Sequence, residues 1–333
     1  MDDWLTAALR APAVLVTVAI VEGSVPREPG AKMLVTRDGF AGTVGGGHLE
    51  HRAIDMARTM LEEGGPARIE RFALGPSLGQ CCGGIAHLVF EVVDREQMAL
   101  LDKRRNEDTW RLIDIGGTLA SLFDGAGRLL AGDAAPDFDP GLGTHVFTDA
   151  SGRRWLADAV FAPRAHLMLF GAGHVGAAIV RALAELPCRV TWVDERDDMF
   201  PAEVPANVSI EATDTPEALV ARAAPGTTFL VMTHSHALDL RLSIAILSRV
   251  RTLEHADWFG LIGSDTKRRQ FEHRLRERGI ADERIGAMVC PIGLPGIAGK
   301  APAVIAVAVA AQLLTVWETA QASSLLDASP ESN

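Results

Sequence analysis

The sequence predicts an α/β protein in two parts, an N-terminal mixed α+β domain over residues 1–160 and a C-terminal doubly wound parallel-sheet domain over residues 164–320, with a flexible tail at 321–333. Three observations carry this. In the second half, apolar runs of strand length alternate with segments of helix length, as in a parallel sheet covered on both faces. The first of those runs, His166 to Phe170, enters a helical segment through a glycine turn. In the first half, short apolar runs are punctuated by Gly, Pro and Asp, which marks a β-rich domain.

The first domain reads in order as follows. Ala13 to Val21 is apolar and rich in β-branched residues, so it is a strand rather than a signal peptide: no basic segment precedes it and no small-residue cleavage site follows. A Pro/Gly-rich loop, Gly23 to Gly30, leads to a second apolar run, Met33 to Val35, and the two predict paired strands. Gly42 to Gly47 then delivers the chain into a helix from about His48 to Glu63, with Leu49, Ile54, Ala57 and Leu61 on one apolar face. Beyond the cluster Gly79-Gln80-Cys81-Cys82-Gly83-Gly84, a strand is predicted over Ile85 to Val93 and a charged helix around Arg95 to Arg105. Short alternating segments separated by Asp124-Gly125, Pro136, Pro140 and Asp149 to Gly152 complete the domain, and the boundary falls near Ala162-Pro163-Arg164.

In the second domain Gly171-Ala172-Gly173-His174-Val175-Gly176 is a GxGxxG placed after an apolar strand and at a helix start, with Asp194 ending the next strand. That context makes the domain Rossmann-like. Gly171 permits the tight turn, Gly173 lets a phosphate approach the backbone, and Gly176 lets helix and strand pack closely, while the helix N-terminus offers free N–H groups to an anion. The bland alternative is a turn kept for packing alone. Asp194 has two readings, acceptor of ribose hydroxyls or a strand-end residue beside Glu195. The apolar stretch Ala301 to Trp317 contains Pro302, Gln312 and Thr315 and falls short of the roughly 20 apolar residues of a membrane span, so a buried or interface helix is expected there.

Composition narrows the function. A formal charge of −11 opposes binding to nucleic acid or an anionic membrane and suits a cytoplasmic protein. Tyrosine is absent, which removes the Tyr-Lys pair of short-chain dehydrogenases. The four cysteines, at positions 81, 82, 188 and 290, form no CxxC pair, so neither a zinc site nor a secreted disulfide framework is indicated.

Two further constellations stand out. Cys81 and Cys82 sit among glycines, which suits either a soft-ligand, sulfur-handling site or a small apolar pair in a tight turn. Thr233-His234-Ser235-His236 with Asp239 follows the strand Phe229 to Val231, at the carboxyl edge where ligands of open α/β sheets collect. His234 and His236 are there to hydrogen-bond a ligand or the neighbouring loop, or, less simply, to bind a metal with Asp239. Cys188 and Cys290 lie in apolar strand settings and are expected in the core.

Taken together, the motifs resemble the xanthine dehydrogenase accessory protein family, XdhC, related to the CoxI proteins. The resemblance covers nearly the whole chain and rests on Gly23 to Arg27 with Pro29 to Met33, Gly45-Gly46-Gly47-His48-Leu49-Glu50, Gly79 to Gly84, Gly171 to Gly176, Thr233 to His236, Leu261-Ile262-Gly263-Ser264 and Pro291 to Leu294. It implies a protein without turnover of its own that binds the molybdenum cofactor in its molybdopterin form and passes it to apo xanthine dehydrogenase. It also implies an interaction with a cysteine desulfurase that supplies the terminal sulfido ligand. The cofactor-binding residues expected on this reading are Cys81, Cys82, Gly171, Gly173, His174, Gly176, Asp194, His234 and His236. An alternative, an NAD(P)-dependent oxidoreductase, follows from the Gly171 turn and Asp194 alone. A third reading, a scaffold whose second domain is an empty relic, would need only the apolar helix Ala303 to Trp317 as a dimer surface, and a homodimer is expected.

Overall fold

The computed structural model describes residues 4–74, 83–249 and 257–327. The chain divides into two compact units that meet in sequence between Ala162 and Pro163.

The N-terminal unit opens with a short helix, α1 (Trp4–Ala8), and contains two five-stranded antiparallel sheets. The first is formed by β1 (Ala13–Glu22), β2 (Lys32–Thr36), β3 (Phe40–Gly42), β4 (Arg68–Ala73) and β5 (Ile85–Val92), in the order β3-β2-β1-β5-β4. The expected pairing of the first two apolar runs is present, with Leu15 opposite Leu34. Helix α2 (Gly47–Glu63) covers one face of this sheet, burying Leu49, Ala53, Ile54, Ala57 and Met60 against Val14, Val16, Met33 and Phe90. Leu61, expected on that face, packs at its margin.

The helix α3 (Arg95–Lys103) begins where the Asp94 carboxylate accepts the N–H groups of Glu96 and Gln97, a side-chain cap. The second sheet follows: β6 (Thr109–Ile115), β7 (Ala120–Asp124), β8 (Leu129–Ala131), β9 (His145–Thr148) and β10 (Arg154–Val160), in the order β8-β7-β6-β10-β9. It packs on the first through Ala19, Val89, Ile113 and Leu156. Strand β4 was not foreseen. Its sequence, Arg-Ile-Glu-Arg-Phe-Ala, is half charged, and edge position lets those side chains reach water.

Four buried charged residues join the two sheets, a cluster that spacing along the chain does not foretell. Asp158, on β10, takes Lys32 Nζ from β2 at 2.7 Å and Arg111 Nη1 from β6 at 2.9 Å. Arg111 Nη2 continues to Glu91, on β5, at 2.6 Å. All four side chains are buried, and two cations balance two anions, which makes such burial tolerable.

In the C-terminal unit, β11 (Ala165–Phe170), α4 (His174–Ala182), β12 (Cys188–Asp194), β13 (Val208–Ala212), α5 (Pro216–Arg222), β14 (Thr228–Val231), α6 (His236–Leu247), β15 (Trp258–Leu261), α7 (Asp265–Glu277), α8 (Asp282–Gly286), β16 (Met288–Val289) and α9 (Pro302–Asp327) succeed one another. The six strands are parallel in the order β13-β12-β11-β14-β15-β16. Numbered within the domain this is 3-2-1-4-5-6, the order of dinucleotide-binding sheets, with the switch point beside the first strand. Helices α4 and α9 fill one face around Leu167, Leu169, Trp192 and Leu313, and α5 to α8 fill the other around Phe170, Phe229, Leu242 and Phe271.

Helix α9 extends into the first part of the segment expected as a tail. It runs on to Asp327, because Gln321 to Asp327 contains neither Gly nor Pro and extends an established helix without a fresh nucleation cost. By length and composition Pro302–Ala320 would suffice to cross a membrane. One side of it is used within the domain: Val309, Leu313 and Trp317 are buried, and Trp317 Nε1 donates to Thr228 Oγ1 at 2.9 Å, while Val304 and Val307 are exposed.

Candidate functional site

The glycine turn is built as its residues require. Strand β11 pairs with β12 on one side and β14 on the other, so its carboxyl end opens at the centre of the sheet. Gly171 turns there with φ of +124°, a conformation open mainly to glycine. A Cβ on Gly171 would also collide with the carbonyl of Met232, and one on Gly176 with the carbonyl of Gly171. Trp192, buried beside the turn, donates Nε1–H to that Gly171 oxygen at 3.0 Å.

Gly173 differs. It sits at the N-cap of α4 with φ of −74°, where any residue is allowed, and a Cβ there would meet nothing within 4 Å. No side chain caps the helix, so its first N–H groups are left without a side-chain acceptor, and His174 beside them is exposed. An uncapped helix N-terminus with room before it is the arrangement that accepts an anion.

Asp194 is committed to the turn itself. Its Oδ2 accepts the Ala172 N–H at 2.7 Å, and its Oδ1 accepts the backbone N–H of Arg196 at 3.0 Å and Arg196 Nε at 2.9 Å. Burial opposes its charge, but the bonds from Arg196 and Ala172 prevail and hold the carboxyl below the ordinary carboxylate value. Arg196 was missed in the sequence. Its position two residues beyond the strand-ending acid was the available signal.

The third part of the edge follows β14. Ser235 caps α6 by accepting the Leu238 N–H at 3.3 Å, which places His236 in the first turn with its ring edge-on to Phe271. Asp239 does not face this edge as a ligand. It is fully buried, accepts Thr233 N–H at 3.0 Å and Thr233 Oγ1 at 2.7 Å, and receives Lys267 Nζ at 2.7 Å. The carboxylate weighed as a metal partner of the two histidines is thus spent on the fold, and no group of three metal-ligating side chains occurs among the described residues. His234 stays exposed and borders a narrow cleft with Asp194, Glu195, Pro216 and Thr233.

The structure therefore brings Gly171, Gly173, His174, Gly176, Asp194, His234 and His236 to one carboxyl edge of the parallel sheet. Cys81 and Cys82 lie outside the described residues. Several other motif residues have structural work. Glu50 Oε2 gathers Thr43 Oγ1 at 2.5 Å, Val44 N–H at 3.3 Å and Gly46 N–H at 3.2 Å, fixing the loop before α2. Lys32 belongs to the buried charge cluster, and Ser264 caps α7.

A six-stranded parallel sheet with a GxGxxG at its switch point defines the second domain as a Rossmann domain, the architecture of phosphate-bearing ligand sites. Residues 167–313 match the family model of the XdhC Rossmann domain, and residues 7–73 match that of the XdhC and CoxI family. The chain belongs to the XdhC/CoxI family. A crystal structure from Bacillus halodurans described as a xanthine dehydrogenase superposes with a TM-score of 0.73 over 96% of both chains at 21% identity, which shows a shared fold. The uncharacterized protein YqeB of Escherichia coli strain K12 is 26% identical over 318 residues. That alignment takes in 93% of this chain and 44% of YqeB, so the chain spans less than half of that relative.

Proposed function

We propose that this protein is a cytoplasmic accessory protein that holds the molybdenum cofactor while its terminal sulfido ligand is installed and then inserts it into apo xanthine dehydrogenase. A cysteine desulfurase is the sulfur donor, and the working form is a homodimer. The single observation that carries the reading is the space before Gly173: the uncapped α4 N-terminus accepts a phosphate, and the cofactor ends in one.

When bound, the cofactor supplies a molybdenum centre held by the two sulfurs of the pterin. This chain's own residues bind and orient it. The N–H groups at the start of α4 take the phosphate, and the imidazoles of His174, His234 and His236, all at the same edge, offer donors to its polar body. Asp194 and Arg196 keep the turn in shape. Cys81 and Cys82 are assigned to the molybdenum end on chemical grounds, thiolate being suited to a soft, sulfur-rich metal centre.

A nicotinamide dinucleotide is the second reading, favoured by the sheet order and by Asp194 at the end of β12. Against it, the Asp194 oxygens already hold Ala172 and Arg196. Purification followed by molybdenum and pterin analysis, an ultraviolet-visible spectrum and titration with NAD(H) and NADP(H) separates the two. Bound molybdopterin and activation of apo xanthine dehydrogenase are expected. Dinucleotide binding with no capacity for molybdopterin would overturn the proposal.

A further inference from the structure

A cavity of about 510 Å³ opens in the N-terminal unit between the loop leading into β1, the turn joining β2 to β3, and the second half of α2. Its volume is that of a small-molecule site, about 300–1,000 Å³. Ala11, Pro12 and Leu61 form an apolar wall, and Thr36 with four charged side chains lines the remainder: Arg37 and Asp38 from the turn, Arg58 and Glu62 from α2.

These charges are not spent on the fold. Among the described residues none of the four is hydrogen-bonded or ion-paired, in contrast to the Lys32, Glu91, Arg111 and Asp158 cluster of the same unit. The Nε of Arg58 is buried without a hydrogen-bond partner, as are those of Arg68, Arg104, Arg111 and Arg189, and Arg58 is the one of these that lines the cavity. A buried donor without an acceptor is unfavourable, and an acceptor on a ligand relieves it.

We propose that this cavity binds a small phosphate monoester whose other end carries N–H donors. Two guanidinium groups match the double charge and the forked oxygens of a phosphate better than a single carboxylate would. Asp38 and Glu62, which accept only, take the N–H donors, and the apolar wall carries the body of the molecule. This site is independent of the Gly173 turn and lies wholly within the N-terminal unit.

Guanosine 5′-monophosphate is a suitable probe, since it joins a phosphate to a ring with N–H donors, and ribose 5-phosphate is its counterpart without the ring. Both are titrated by calorimetry into a Gly173→Val protein, so that phosphate capture at the glycine turn does not register. Guanosine 5′-monophosphate should bind at one per chain, more tightly than ribose 5-phosphate. Its affinity should fall about tenfold in both Arg58→Gln and Arg37→Gln, the scale of one charge-assisted hydrogen bond. Arg37 is on an exposed turn, so its variant folds even if Arg58→Gln does not. No one-to-one binding of guanosine 5′-monophosphate, unchanged affinity in Arg37→Gln, or equal affinity for the two probes would overturn the proposal. Failure here leaves the molybdopterin reading untouched, because that is measured by molybdenum and pterin content in a protein with Gly173 intact.

Discussion

The carboxylate of Asp194 and the backbone N–H of Ala172 meet at 2.7 Å, joining the end of β12 to the turn that follows β11. An acid in this place has two possible employers, the turn or a ribose, and here the turn has it. The Asp194→Ala change strands the Ala172 N–H and releases Arg196, so it should cost about 1–3 kcal/mol, the penalty for unsatisfied buried groups. Thermal melting read by tryptophan fluorescence, to which Trp192 beside the turn contributes, checks this. A melting temperature equal to wild type would show that the bond contributes nothing.

The three glycines of the turn should separate by position. Gly171→Ala and Gly176→Ala push a Cβ into backbone carbonyls and should destabilise the second domain by about 2 kcal/mol or more. Gly173→Val places its side chain in open space at an ordinary φ, so the protein should melt as wild type does but purify without pterin or molybdenum. Full pterin content in folded Gly173→Val would remove the phosphate assignment.

Within the first domain, the buried charges predict an order of effects. Asp158 serves both Lys32 and Arg111, and Asp158→Asn leaves two buried cations undercompensated, at a cost of about 3–5 kcal/mol. Glu91 serves only Arg111 in the cluster. Burial pushes its carboxyl above the ordinary value despite the opposing pull of Arg111, so its charged form is the less favoured to begin with. Glu91→Gln should therefore cost less than Asp158→Asn in urea denaturation, and the reverse order would contradict this division of labour.

What could be read in advance follows from how far apart the partners lie in sequence. Gly171, Gly173, Gly176 and the apolar strand before them are neighbours, and local spacing alone gave their arrangement. The start of α2 was legible for the same reason, since Glu50 caps a loop a few residues upstream. The charge cluster was not, because Lys32 and Asp158 come from different sheets and meet only once both have formed. The role of Asp239 was not legible either, because its partner, Lys267, arrives from another helix. Spacing shows which groups are near, but not which way they face.

His166 carries a prediction for pH. Burial, assisted by Arg189, pushes its pKa down to about 4, and its Nε2 lies 2.9 Å from Thr191 Oγ1. The folded value is below the unfolded one of about 6.5, so the unfolded state binds the proton more readily. The contribution to stability is complete above pH 6.5 and is lost as the pH falls toward 4. Allowing for partial exposure, the loss should be about 1–2 kcal/mol over that window. His166→Gln should flatten this part of the melting profile, and an unchanged profile would assign the acid sensitivity to other groups.

The cysteines give the most exposed prediction of the cofactor reading. Cys188 and Cys290 are buried in the second domain, and burial raises both thiols, that of Cys188 to about 11. Neither is a thiolate at neutral pH, so neither can ligate a metal or attack an alkylating agent until the domain opens. Iodoacetamide at pH 8 should leave both unlabelled in native protein and label both in urea. If the other two thiols hold the molybdenum end, Cys82→Ala should lower retained molybdopterin and the activity conferred on apo xanthine dehydrogenase, with at most a small change in melting temperature. Cys188→Ala is the control, losing some packing but retaining cofactor. Equal retention in the two variants would return Cys81 and Cys82 to a packing role, and normal transfer by a Cys81/Cys82 double variant would take thiol ligation out of the mechanism.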